Sequence, residues 1–232
     1  MPELGWCVGA AVGVICAIRW AAAAVYDVLI VKMTTKWYAS VLKDLEKNSS
    51  LLDIGIGTAT ALRNNKAIVD AKDLRISGID YDARYIKAAE RRVANDAKLK
   101  GRVSVVCASV YDGQVLAALR PQGGFDAAYF SGSLTLMPDP VEALQAVAAV
   151  VRPGGRVYVT QTYQKRAAPV MRVVKPLLRY VTTVDFGRLT STEEAERIFR
   201  DSELELVEHA AIAGSVDTVF QTAFRTVLRV PK

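Results

Sequence analysis

Histidine is almost absent from this chain: His209 is the only one in 232 residues, and it lies late, in a stretch that alternates like a strand. A lone histidine there reads as a half-exposed sheet residue, which argues against histidine-based metal or proton chemistry. Cysteine is nearly as scarce. Cys7, Cys16 and Cys107 are odd in number and form no C-x-x-C pair, so neither a disulfide framework nor a zinc site is expected. Blocks of like charge are missing too; the net charge of +6 is spread along the chain, which permits contact with an anionic surface without requiring it. No internal repeat or low-complexity linker divides the chain.

Long apolar runs are represented once, at the amino terminus. Leu4 to Ala24, LGWCVGAAVGVICAIRWAAAA, is interrupted only by Arg19 and would span ~30 Å as a helix, the thickness of a hydrocarbon core. Trp6 and Trp20 stand near its two ends, and Lys32 and Lys36 follow it while Glu3 precedes it. That asymmetry predicts a membrane anchor over residues 1–25, with a catalytic domain over residues 26–232 in the cytosol. An alanine-rich helix packed on the domain, or one lying in the bilayer interface, has the same composition.

The remainder alternates short β-rich runs with helical periods, the rhythm of a parallel sheet covered by helices. TKWYASVLKDLE (35–46) reads as an amphipathic helix ahead of a strand at Leu51 to Gly55. Further strands are expected at 76–80, 102–108 and 125–130, with a helix over 83–99 between the first two of them. Asp139 and Pro140 open a helix that RPGG (152–155) stops before the strand RVYVTQTY, and Ser191 with Glu194 forms a capping box. LELVEHAAI and TVFQTAFRTVLRV then form a hairpin, so an antiparallel strand closes the sheet.

Chemistry concentrates in LLDIGIGTAT, residues 51–60. Gly55 and Gly57 allow close approach of backbone to ligand, but no Gly-Lys-Ser/Thr follows, which excludes a phosphate loop. Asp53 would repel a pyrophosphate and suits a cation. Asp80 ends the next strand, where a carboxylate can accept from both hydroxyls of a ribose. Together they ask for a nucleoside bearing an amino-acid or sulfonium part, and S-adenosylmethionine meets that description.

At these motifs the sequence resembles the class I (Rossmann-like) S-adenosylmethionine-dependent methyltransferases: LLDIGIGTA, ISGIDYD, VVCASVYD, FDAAYFSGSLTLMPDP and VVRPGGRVYV fall in that family's order and spacing. The resemblance implies a doubly wound seven-stranded sheet with a reversed last strand. It implies that Asp53, Gly55 and Gly57 surround the methionine part, that Asp80 binds the ribose with Tyr81 on the adenine, and that Ser109 and Val110 lie at the adenine edge. Phe130 and Ser131 would lie beside the sulfonium. Ala59 replaces the family's third glycine, and Ser109 stands where many relatives carry an acid.

No metal is needed for such a transfer. Thr135 and Leu136 occupy the place of a histidine base common in the family, so a proton would pass to water or to a tyrosine, with Tyr38, Tyr129 and Tyr163 as candidates. SGSLT in place of an asparagine-proline-proline-aromatic run disfavours base or glutamine methylation, and nucleic-acid substrates with it. Arg172, Lys175 and Arg179 share one helical face, a pattern suited to an anionic membrane. The expectation is a membrane-associated methyltransferase acting at N, S or O of a small apolar molecule or lipid headgroup. The alternatives are a soluble enzyme whose first helix is an active-site lid, and a silent cofactor-binding subunit.

Overall fold

The computed structural model describes residues 29–164, 190–219 and 221–232. The expected membrane segment over 1–25 and the face formed by Arg172, Lys175 and Arg179 lie outside the described residues. Among those described, no helix is long and apolar enough to cross a membrane.

Seven strands form one sheet: β1 (Ser50–Ile54), β2 (Arg75–Asp80), β3 (Val103–Cys107), β4 (Phe125–Ser131), β5 (Val151–Gln164), β6 (Glu205–Ala211) and β7 (Gln221–Arg229). Their order is β3-β2-β1-β4-β5-β7-β6. The first five pair in parallel, and β7 runs antiparallel to both β5 and β6. The expected doubly wound sheet with a reversed final strand is therefore present.

Alternation along the central strands assigns side chains to two faces. Leu51, Ala127, Tyr129 and Tyr158 face one way, Leu52, Ile54, Ala128 and Phe130 the other. A helix over 29–44 (α1) covers the first face through Tyr38, Val41 and Leu42, together with α2 (Thr60–Asn64), α3 (Lys66–Ala71) and α4 (Ala83–Ala94). The other face is covered by α5 (Gly113–Leu119), α6 (Pro140–Ala148) and α7 (Thr192–Asp201). Each leucine-sized side chain buried this way contributes about 1.5–3 kcal/mol, so both layers have a strong reason to stay docked.

Capping sets the helix starts. Asp139 accepts from the Glu142 amide at 2.9 Å with Pro140 at the first helical position, and Ser191 accepts from the Glu194 amide at 3.2 Å. Two expectations are corrected. The helix expected over 83–99 stops at Ala94, because Asp96 turns inward, accepts from the Lys98 amide at 3.1 Å and pairs with Lys66 at 2.7 Å. A short polar side chain that binds nearby backbone competes with the helix in this way. RPGG does not precede β5 but is bulged out inside it: Phe125 pairs with Val151 and Ala127 next pairs with Arg156.

Candidate functional site

Strand order reverses between β1 and β4, and in open α/β sheets the crevice outside the carboxyl ends at that point receives the ligand. Asp53 enters this crevice from β1 on the face covered by α1. It is fully buried; Tyr38 Oη donates to its Oδ2 at 2.8 Å, while Oδ1 has no partner. Burial pushes the Asp53 carboxyl up to about 7, the Tyr38 hydrogen bond pulls it down, and the neighbouring Asp80 charge pushes it up.

The chain leaves β1 in left-handed conformations that glycine adopts without strain: φ is +75° at Gly55 and +57° at Gly57. Gly55 is needed for packing as well, since an added Cβ would lie 2.6 Å from Ser133 Cβ. Ser133 Oγ donates to the Ile54 carbonyl at 2.6 Å and thereby ties the exits of β1 and β4 together. An added Cβ on Gly57 would meet nothing within 4 Å, so this glycine faces open space. Ala59 adopts φ 55°, ψ 19°, at a cost of about 1–2 kcal/mol for a residue with a Cβ. Its methyl is buried in the layer under α1. The helix that follows has only five residues, so the turn's own amides, more than a helix dipole, face the crevice.

Asp80 closes the arrangement. Its Oδ2 accepts from the Gly57 amide at 3.0 Å and its Oδ1 from the Asp82 amide at 2.9 Å, so the end of β2 is clamped to the turn after β1. Burial raises its pKa, and the two amides oppose that shift. A carboxylate has about four acceptor positions, which leaves one on each oxygen for a diol. Tyr81, 82% exposed, follows at the rim, with Cys107 Sγ donating to its carbonyl at 3.6 Å. Ser109 is exposed and accepts from the Tyr111 amide at 3.2 Å, whereas Val110 turns its side chain into the core.

The end of β4 divides the two residues expected there. Ser131 stands on the same face as Asp53 with its Oγ buried. The Phe130 ring is fully buried on the opposite face among Leu52, Ile54 and Val159, so only its main chain borders the crevice; strand alternation is the reason. The tyrosines are likewise repositioned. Tyr129 shares a 2.8 Å hydrogen bond with Thr160 and is fully buried, Tyr163 is core, and Tyr38 is committed to Asp53. Burial raises all three phenols, which disfavours the phenolate that a base would need. His209 is half-buried on β6, its Nδ1 2.8 Å from Thr226 Oγ1 and its ring stacked on Phe224.

The Tyr38–Asp53 contact, the Ser133 tie and the seating of Trp37 against Gly132 were not legible beforehand. Each joins elements distant in sequence, and no spacing rule announces such a pair. The donor set fits S-adenosylmethionine. A buried orphan carboxylate oxygen suits its ammonium, a clamped carboxylate suits its ribose, and the space over Gly57 admits it.

Comparison with known proteins agrees with the fold. A family model for the methyltransferase domain matches residues 51–155. The chain is 31% identical over 192 residues to a ubiquinone biosynthesis O-methyltransferase of Cupriavidus pinatubonensis, covering 76% of this chain and 73% of that protein. It is 24% identical over 168 residues to a demethylmenaquinone methyltransferase of Listeria welshimeri, covering 70% and 66% respectively. In fold it is similar to an S-adenosylmethionine-dependent methyltransferase of Methanosarcina mazei, with TM-score 0.64 at 17% identity, over 84% of this chain and 98% of that one.

Proposed function

Since this chain belongs to the class I S-adenosylmethionine-dependent methyltransferases, we propose that it methylates an oxygen of a small, largely apolar phenol or hydroquinone. It is an enzyme, and its cofactor is S-adenosylmethionine. The observation that carries the acceptor class is that no tyrosine or histidine among the described residues is placed to take a proton, while the two crevice carboxylates, Asp53 and Asp80, are assigned to the cofactor's amino group and ribose. Tyr38, Tyr129 and Tyr163 are buried and held neutral, and His209 sits on β6 against Phe224. A phenol ionises near pH 10 in water and far more readily than an aliphatic alcohol, so it can lose its proton to solvent without a dedicated base. The ubiquinone biosynthesis O-methyltransferase relative supports oxygen as the acceptor atom, and both quinone-pathway relatives support an apolar aromatic acceptor.

When bound, the cofactor supplies an electrophilic methyl on a sulfonium that becomes a neutral thioether. The chain's task is positional. Asp53 and the Gly55–Gly57 turn hold the amino-acid end, Asp80 holds the ribose, and Tyr81 covers the adenine. Ser131 and the Phe130 main chain border the reacting atoms. The apolar run over 1–25 supports tethering to a membrane, where an acceptor of this class partitions.

A screen with methyl-labelled cofactor tests the reading. Hydroxylated aromatic and prenylated phenolic acceptors should be labelled, and amines and thiols should not. Label transfer confined to amines or thiols would overturn the oxygen assignment.

A further inference from the structure

The geometry points to Tyr38 as a positioning residue that keeps Asp53 turned and anionic for the cationic end of the cofactor, which makes α1 part of the cofactor site. This rests on the placement of the cofactor's amino group at Asp53. Among the described residues a single contact fixes that carboxylate: Tyr38 Oη donates to Oδ2 at 2.8 Å, no salt bridge reaches Asp53, and Oδ1 has no partner. A single donor to a buried carboxylate stabilises its charged form, and the bond selects which oxygen remains for the ligand.

Tyr38 is itself held. Its ring packs edge-on against Tyr129 with centroids 4.9 Å apart, and the Tyr129 phenol is anchored 2.8 Å from Thr160 Oγ1. The same helix is pinned around the crevice at three further points. Trp37 Nε1 donates to Ser215 Oγ at 2.8 Å in the turn before β7, the Trp37 ring closes over Gly132 at the exit of β4, and the Thr35 carbonyl accepts from Asn65 Nδ2 at 2.9 Å between α2 and α3. A donor so fixed cannot swing away when the ligand enters.

Among the described residues, the groups that face Asp53 are Tyr38 from α1, Tyr129 from β4 and Asp80 from β2, and none of these is cationic. With the carboxyl titrating at about 7, cofactor affinity should fall as pH drops through that value, and the Tyr38 bond should set where the fall occurs. Calorimetry with S-adenosylhomocysteine between pH 5.5 and 9 measures this directly. Wild-type affinity should weaken about tenfold per pH unit below the midpoint. Tyr38→Phe should raise the midpoint by about one unit, which is about a tenfold loss at pH 6. Fluorinating the Tyr38 ring at its 3-position, which makes the phenol a stronger donor without altering the packing, should move the midpoint down.

Tyr158→Phe serves as control. It removes a hydroxyl that donates to a carboxylate other than Asp53, Asp44 Oδ2 at 2.7 Å, on the same sheet face but two strands over from Asp53, and should leave the midpoint in place. An unmoved midpoint in Tyr38→Phe, the same shift in Tyr158→Phe, or the same sign of shift from fluorination and from removal of the hydroxyl would overturn the role of Tyr38 while the cofactor site stands. Failure of the wild type to bind S-adenosylhomocysteine at any pH would remove the site assignment, and this inference with it.

Discussion

Gly55 and Gly57 are two residues apart and share a left-handed backbone, yet the structure gives them different duties. Gly55 abuts Ser133, so Gly55→Ala combines backbone strain with a clash. It should cost about 2–4 kcal/mol of stability, read as a lowered urea midpoint. Gly57 faces open space, so Gly57→Ala should cost only about 1 kcal/mol of stability while its methyl intrudes on the ligand and weakens cofactor binding by calorimetry. Asp80 binds two amides and is assigned the ribose. Asp80→Ala should lower cofactor affinity by about 100-fold or more, the scale of two charge-assisted hydrogen bonds, and an unchanged affinity would contradict the assignment.

Asp53 also makes a prediction about pH. Its carboxyl rises from 3.8 in the unfolded chain to about 7 in the fold, so between these values the folded state binds the extra proton. The ligand-free protein should therefore gain stability from this group as pH falls from about 7 towards about 4, by on the order of a few kcal/mol. His209 acts oppositely: burial lowers its pKa, so it loses stability as it charges in acid. Urea unfolding of wild type and Asp53→Asn at pH 5 and pH 8 isolates the aspartate; the variant should lose the acid-side gain. The meeting of Asp53, Gly55, Gly57 and Asp80 at one crevice was legible in the sequence because strand and turn geometry space them. The orphan Oδ1 and the shifted titration were not, since both come from the α1 layer lying over Asp53.

Among the elements, boundaries followed caps and breakers where these are local. Asp139 with Pro140 and Ser191 with Glu194 start helices where expected. Asp139→Ala should destabilise the protein by about 1 kcal/mol without altering cofactor affinity, as denaturation and calorimetry in parallel would show. The early end of α4 and the bulge within β5 escaped the pattern because each depends on a partner far along the chain. Asp96 is drawn to Lys66, and Arg152 reaches Asp126 at 2.8 Å while the chain loops out between two strand pairs. Leu99 still packs in the core, which is why the helical spacing of apolar residues runs past the helix itself.

For the whole molecule, the sheet brings Asp53, Asp80 and Ser131 from three strands to one edge at the reversal between β1 and β4. Deleting residues 1–24 should release the protein from membranes in a flotation assay and leave cofactor affinity intact, because the contacts of α1 with the site begin after that segment. Loss of affinity on that deletion would favour the lid alternative for the first helix. At the sheet's end, β6 carries a bulge between Leu206 and Glu208 and exposes Glu205 and Glu208 as salt-bridge partners of β7, features that discourage edge-to-edge association.

Local order alone was enough for the fold class, the reversed strand and the two carboxylates, because hydrophobic period, turn chemistry and strand-end position are properties of neighbouring residues. Which tyrosine meets Asp53, which face takes Phe130 and what proton affinity the crevice confers were settled by tertiary packing. Those outcomes depend on side chains brought together from separate layers and on the water their contact excludes, and neither is encoded in any short stretch of chain.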